Sequence, residues 1–291
     1  MLSRTILTFV ALVVFLLQGC SSREVFQQQE EITQQVLREN PDIQHHYLNV
    51  DDHVLHYVIN GEIQKPTLII IHGTPGDWRQ YSRYLFNESL LAAYRVVVID
   101  RPGWGESILG DDLTYADFSQ QAMIIAQLLS QLKSESQQPI VLMGHSLGAS
   151  LAPQIAIDFP KLVDGLLLFA GTLDPALAHP RWFNYIARLP FSSWVIGDRL
   201  YKANQEIFAL EDNIMQMSQR WSALQAVTFV VQGTADELVY PENIDYAART
   251  LPSEITTTIT LDNEGHLFPM TRPKDVEKWA ASMLSLIRRR D

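Results

Sequence analysis

Ser146 lies in the pentapeptide Gly144-His145-Ser146-Leu147-Gly148, directly after the apolar run Ile140–Met143 and at the head of a helical pattern. A serine at such a strand-to-helix turn is placed for nucleophilic attack. The turn lifts the hydroxyl clear of the sheet and leaves room for little more than hydrogen at the flanking positions. The hydroxyl is a poor nucleophile at neutral pH and needs a base within hydrogen-bond reach. An imidazole serves, and a carboxylate must hold its tautomer and stabilise the imidazolium. In a framework of this kind the chain order is serine, acid, histidine, so both partners should follow residue 146.

Only His179 and His266 do so. His266 closes Asn263-Glu264-Gly265-His266, just after the last strand pattern, where a loop can reach the serine turn. His179 stands beside Pro180 at the start of a long insertion and reads as a surface histidine. For the acid, Asp236 follows the strand pattern Val227–Val231 within Gly233-Thr234-Ala235-Asp236, with Glu237 and then Asp262 as the next candidates. A tetrahedral oxyanion needs two backbone donors. Leu147, next to the serine, supplies one amide. The other should come from His72-Gly73-Thr74-Pro75-Gly76: Gly73 permits close approach and Pro75 has no N–H, which leaves the Thr74 amide. His72 precedes the serine and reads as structural. Asp100-Arg101-Pro102-Gly103-Trp104-Gly105-Glu106-Ser107 reads as a scaffolding turn.

These residues need a frame that brings them to one edge. His45–Val50 and Val54–Ile59 alternate around Asp51-Asp52 as a β-hairpin would. Continuous apolar runs at Thr67–Ile71, Val96–Ile99, Ile140–Met143, Leu166–Phe169 and Val227–Val231 predict strands buried on both faces, with a more polar one at Ile255–Leu261. Helical patterns lie between them, around Tyr81–Ala93, Tyr115–Leu132, Leu147–Phe159, Glu242–Leu251 and Pro273–Arg289. The alternation predicts an α/β fold: a mostly parallel central sheet with an N-terminal antiparallel hairpin and helices on both faces. The stretch of about 172–225 breaks the rhythm and is rich in aromatic residues, as a helical cap inserted before the late strands would be. Trp78, His145 and Phe268, with the cap aromatics, are expected to line an apolar substrate pocket.

Composition narrows the partners. A formal charge of −11, without a Lys/Arg stripe, disfavours nucleic acid. The lone Cys20 excludes an intramolecular disulfide and a cysteine metal cluster. Neither a ligand cluster nor a dinucleotide glycine pattern appears, so no cofactor is expected. Arg4 precedes an apolar run from Thr5 to Leu17, too short to span a bilayer comfortably and arranged like a secretory signal. Leu17-Gln18-Gly19-Cys20 resembles the lipobox of bacterial lipoproteins. The resemblance implies a signal peptide over residues 1–19, a lipid on Cys20 as the membrane partner, and a place in the cell envelope, at the outer membrane facing the periplasm in a Gram-negative cell. Residues 20–44 would be a tether or short helix, and 45–291 the folded domain.

The ordered landmarks His72–Gly76, Asp100–Ser107, Gly144–Gly148, Gly233–Asp236 and Gly265-His266 resemble those of capped α/β-hydrolases across roughly residues 45–290. The resemblance implies the α/β-hydrolase fold and a catalytic set of Ser146, Asp236 and His266. Haloalkane dehalogenases and epoxide hydrolases share the landmarks but attack with an aspartate, where this chain has Ser146. The expected activity is hydrolysis of a small-molecule carboxylic ester, apolar or lipid-like, through an acyl-serine. An aminopeptidase or amidase, with Glu206, Glu211 or Asp212 holding a substrate amine, and a carbon–carbon bond hydrolase are the alternatives on the same fold. A tethered binding protein without turnover is the alternative of another class.

Overall fold

The computed structural model describes residues 20–111, 113–189 and 192–290. The expected signal peptide, residues 1–19, lies outside the described residues. In chain order the elements are α1 (Cys20–Glu39), β1 (His45–Val50), β2 (His53–Asn60), β3 (Thr67–Ile71), α2 (Ser82–Leu85), α3 (Glu88–Ala93), β4 (Arg95–Ile99), α4 (Phe118–Ser136), β5 (Ile140–His145), α5 (Leu147–Asp158) and β6 (Gly165–Phe169). The cap helices α6 (Trp182–Ile186), α7 (Ser192–Ile196) and α8 (Asp198–Ser218) follow, then β7 (Val227–Gly233), α9 (Asn243–Thr250), β8 (Thr256–Leu261), α10 (Phe268–Thr271) and α11 (Pro273–Ile287).

The eight strands form one sheet in the order β1-β2-β4-β3-β5-β6-β7-β8. β1–β2 and β2–β4 pair antiparallel and every later pair is parallel, with Ile71 opposite Gly144 and His145 opposite Phe169. This is the mostly parallel sheet with an antiparallel start that the runs predict. Alternate residues of one strand enter two cores. Ile69, Ile71, Val97, Ile99 and Leu142 pack under α4, α5 and α9, while Leu68, Ile70, Val96, Val98 and Met143 pack under α2, α3 and α11. A strand covered on both faces has no polar side to alternate with, which is why these runs are apolar throughout.

The helix expected over Tyr81–Ala93 is two short ones. Asn87 interrupts it, and its Oδ1 accepts the Leu90 N–H at 2.9 Å as the cap of α3. The cap falls between β6 and β7 as expected. However, the C-terminal half of α8 belongs to the main core: Leu210, Ile214 and Met217 are spaced four and three apart and are buried with Trp221 among the residues of α4 and α5. Only the first half of α8 lies outside that core.

Of the two readings of residues 20–44, tether or short helix, the structure has the helix, α1, and it docks. Gln29, Thr33 and Leu37 recur on one face. Gln29 Nε2 donates to Gln80 O at 2.9 Å, Thr33 Oγ1 donates to Arg79 O at 3.3 Å, and Leu37 packs on the second core. Among the described residues no helix is long and apolar enough to cross a membrane.

Candidate functional site

Ser146 stands between β5 and α5 with φ 56° and ψ −125°, a conformation that costs an L-residue of order 1–3 kcal/mol. The neighbouring glycines permit it. A Cβ on Gly144 would lie 2.3 Å from Gly148 O, and one on Gly148 would lie 2.2 Å from Ile71 O. The Ser146 N–H donates to Phe169 O at 2.9 Å, which ties the turn to the next strand. Leu147 is the first residue of α5, so its amide is among those without an intrahelical acceptor.

Opposite the turn, Gly73 presses against the serine: a Cβ there would lie 2.9 Å from Ser146 Cβ and 3.4 Å from Oγ. Thr74 follows directly. The His72 ring is wholly buried and both its nitrogens are engaged. Nε2 accepts the Arg101 N–H at 3.0 Å, so the proton sits on Nδ1, which donates to Gly73 O at 2.7 Å. Burial foremost, and then the Arg101 charge, push the His72 pKa down to about 3. A neutral, fully engaged ring is a strut rather than a base.

Asp236 and His266 are brought together by two loops laced to each other. Ala235 N–H donates to Glu264 O at 2.9 Å, Asn263 N–H donates to Thr234 Oγ1 at 2.9 Å, and Gly233 approaches Glu264 so closely that a Cβ would lie 2.2 Å from its carbonyl oxygen. The buried Asp236 Oδ2 accepts His266 Nδ1 at 2.9 Å and Gln232 Nε2 at 2.9 Å, while Oδ1 accepts the Leu238 and Val239 amides at 2.9 Å each. Burial works to raise the Asp236 pKa, but the hydrogen bond and charge of His266 and the two amides outweigh it and hold the carboxyl below its ordinary value. Glu237 and Asp262 are exposed. Among the described residues His266 Nε2 makes no hydrogen bond, which leaves that nitrogen for a partner.

His145, Trp78 and Phe268, expected at a substrate pocket, are buried against neighbouring residues. His145 Nε2 donates to His266 O at 2.9 Å and Nδ1 accepts the Tyr81 hydroxyl at 2.7 Å. The ring lies 4.8 Å from that of His266. Burial first, and His266 second, push its pKa down to about 3. It braces the His266 backbone against the serine turn. Trp78 is buried edge-on to His45 at 5.4 Å, and Phe268 packs on Phe169 and Trp279 in the core. Both are apolar, but they are packing residues. His179 is exposed and bonds Ala176 O.

The Asp100–Ser107 turn scaffolds more than its glycines promise. Asp100 Oδ1 accepts the Trp78 amide at 2.7 Å, and Oδ2 accepts His56 Nδ1 at 2.7 Å and the Glu106 amide at 2.8 Å. His45, His56 and Glu106 hold ligand-type atoms within 4.8 Å of one another. They are nevertheless satisfied by neighbours: His56 Nε2 bonds His45 Nδ1 at 2.8 Å and Glu106 accepts the Tyr47 hydroxyl at 2.6 Å. Arg101 and Glu206 form a buried ion pair, 2.6 Å between Nη1 and Oε1. Glu206 is thereby withdrawn from the role of substrate-amine anchor, and Glu211 and Asp212 are exposed. A lone arginine in a turn and a lone glutamate in a helix more than a hundred residues later give no sequence signal that they meet.

Comparison with known proteins places the fold and the family. A stretch of 179 residues, 56% of this chain and 48% of the relative, is 29% identical to epoxide hydrolase 4 of Mus musculus. The chain thus spans about half the length of that relative. Two solved structures share the fold. One is a proposed lipase, lip1, from Acinetobacter baumannii AYE, with a TM-score of 0.65 and 22% identity over 90% of this chain and 97% of that one. The other is a bacterial membrane phospholipase A, with a TM-score of 0.61 and 20% identity over 98% and 99%. Residues 68–279, which contain His72–Gly76, Ser146, Asp236 and His266, match the model of the Alpha/beta hydrolase family, and the chain belongs to that family.

Proposed function

We propose that the protein is a serine hydrolase that cleaves a carboxylic ester through an acyl-serine. The observation that carries this reading is the His266 Nδ1–Asp236 Oδ2 bond of 2.9 Å beside a strained serine elbow. With Nδ1 held by the carboxylate, Nε2 is the basic nitrogen and takes the Ser146 proton as Oγ attacks the carbonyl carbon. The Leu147 and Thr74 amides hold the oxyanion. His266 returns the proton to the leaving alcohol, then activates water, which releases the acid and frees Ser146. The ester class is supported by exposed aromatic rings on the cap, Trp182 and Tyr185, which suit an apolar acyl chain, and by the lipase and phospholipase among the structural neighbours. The elbow holds serine where epoxide opening, by the family resemblance, uses an aspartate.

The lipid anchor on Cys20 and the cell-envelope location belong to the same reading. They rest on Leu17-Gln18-Gly19-Cys20.

Labelling with a fluorophosphonate probe, in wild type and Ser146→Ala, tests the mechanism. Labelling confined to wild type is expected. A folded wild type left unlabelled, or a variant labelled equally, would refute it and bring forward the non-catalytic binding reading.

A further inference from the structure

Arg101 is wholly buried and every N–H of its guanidinium has an acceptor. Nε donates to His72 O at 3.0 Å, and Nη2 donates to Gly73 O at 3.1 Å and Glu206 Oε2 at 3.1 Å. Nη1 donates to Glu206 Oε1 at 2.6 Å and Gln121 Oε1 at 3.1 Å. The group also lies 5.6 Å from the Trp104 ring, whose Nε1 donates to Glu206 Oε1 at 3.1 Å. One planar cation therefore joins two carbonyls of the loop facing Ser146 to a carboxylate on cap helix α8.

Cap attachment alone does not call for this arrangement. Two charges taken out of water are expensive, and well-packed apolar side chains of similar volume commonly hold such elements together as well or better. What an apolar pair cannot do is hold a carbonyl. Gly73 O accepts from both Arg101 Nη2 and the His72 ring. It shares one rigid peptide plane with the Thr74 N–H, which points the opposite way. Fixing the oxygen fixes the amide.

We propose that Arg101 is a positioning residue that sets the Thr74 amide as an oxyanion donor, and that Glu206 makes this setting depend on the seating of the cap. The proposal rests on the serine-hydrolase reading above. When α8 is seated, Glu206 holds the guanidinium in the plane that serves both carbonyls. When the first half of α8 lifts, the cation loses both Glu206 contacts and the Gly73–Thr74 peptide is left held chiefly by the His72 ring. Attack by Ser146 is thereby coupled to cap closure over a substrate.

The test is the paired variant Arg101→Met/Glu206→Met, which keeps an apolar cap contact but removes the carbonyl donor. It is assayed with p-nitrophenyl butyrate and fluorophosphonate beside wild type and Ser146→Ala. The double variant is expected to melt near wild type, with KM within about threefold and kcat lower by about 10–10²-fold, as for a weakened oxyanion donor. Fluorophosphonate labelling should slow in parallel. A folded double variant with kcat within threefold of wild type overturns the proposal and makes the pair a structural contact. If that variant does not fold, Glu206→Gln carries the test: kcat reduced at unchanged KM is expected, and an unchanged kcat overturns cap coupling. Failure of wild type to label at Ser146 would strike the serine reading itself, whereas equal labelling of wild type and double variant strikes Arg101 alone.

Discussion

Two imidazoles buried beside the proposed catalytic edge make the fold acid-sensitive in a calculable way. His72 and His145 each have a pKa pushed down to about 3, against an ordinary value of 6.5, chiefly because burial penalises the charged ring. In the unfolded chain both take up a proton as pH falls through about 6.5, while the folded rings refuse one until about 3. Across that window the unfolded state binds two more protons than the native state, so stability present at neutral pH is lost as pH falls. Each group contributes a slope approaching about 1.4 kcal/mol per pH unit. Integrated from pH 7 to pH 5, this is about 2 kcal/mol per histidine and about 4 kcal/mol for the pair, a large share of the roughly 5–15 kcal/mol that holds a domain folded. His145→Gln preserves a donor for His266 O and an acceptor for the Tyr81 hydroxyl but does not titrate. Urea unfolding at the two pH values should therefore show the variant losing about 2 kcal/mol less than wild type. Asp236, held below its ordinary carboxylate value, adds its own loss only at more acidic pH. Equal losses in the two proteins would mean that His145 is not a neutral buried strut.

Other outcomes follow from the same contacts. Asp236→Asn should lower kcat by about 10³–10⁴-fold with the fold intact, because an amide at the Oδ2 position no longer fixes the Nδ1–H tautomer of His266; activity within tenfold of wild type would exclude the pairing from catalysis. Gly73→Ala places a methyl 2.9 Å from Ser146 Cβ, and a probe-labelling rate lowered at least about tenfold is expected from the displaced serine. A wild-type rate in a folded Gly73→Ala protein would show that the two segments are not so closely set. Cys20→Ala should leave an uncleaved, unlipidated precursor when expressed in a bacterium, as read by intact mass and membrane fractionation. Normal processing of that variant would remove the lipoprotein reading.

Much of the frame was legible because its strands are buried on both faces. Thr67–Ile71 and His45–Val50 appear with the predicted ends, the first buried throughout and the second alternating between exposed and half-buried residues. The turn at Ser146 and the pairing of Asp236 with His266 were legible for a different reason: each residue follows a recognisable strand, and chain order restricts which acid and histidine can meet. What escaped was decided by long-range contacts. The predicted pocket at Trp78, His145 and Phe268 was drawn from residue type, but an aromatic ring next to a catalytic segment packs inward as readily as it faces a substrate. His145 is taken by Tyr81, 64 positions away, and Arg101 by Glu206, 105 positions away. Periodicity carries no trace of such pairings. The docking of helix α1 escaped because its docking face is largely polar, with Gln29 and Thr33 bonding to backbone carbonyls.

The left-handed backbone at Ser146 has an evolutionary consequence. At this one position the demand of the proposed turnover and the demand of folding point in opposite directions: the proposed nucleophile is held in a conformation that glycine adopts without penalty. A lineage released from selection on turnover would meet no folding barrier to losing its nucleophile here. Drift from enzyme to scaffold along this route would run downhill for the fold.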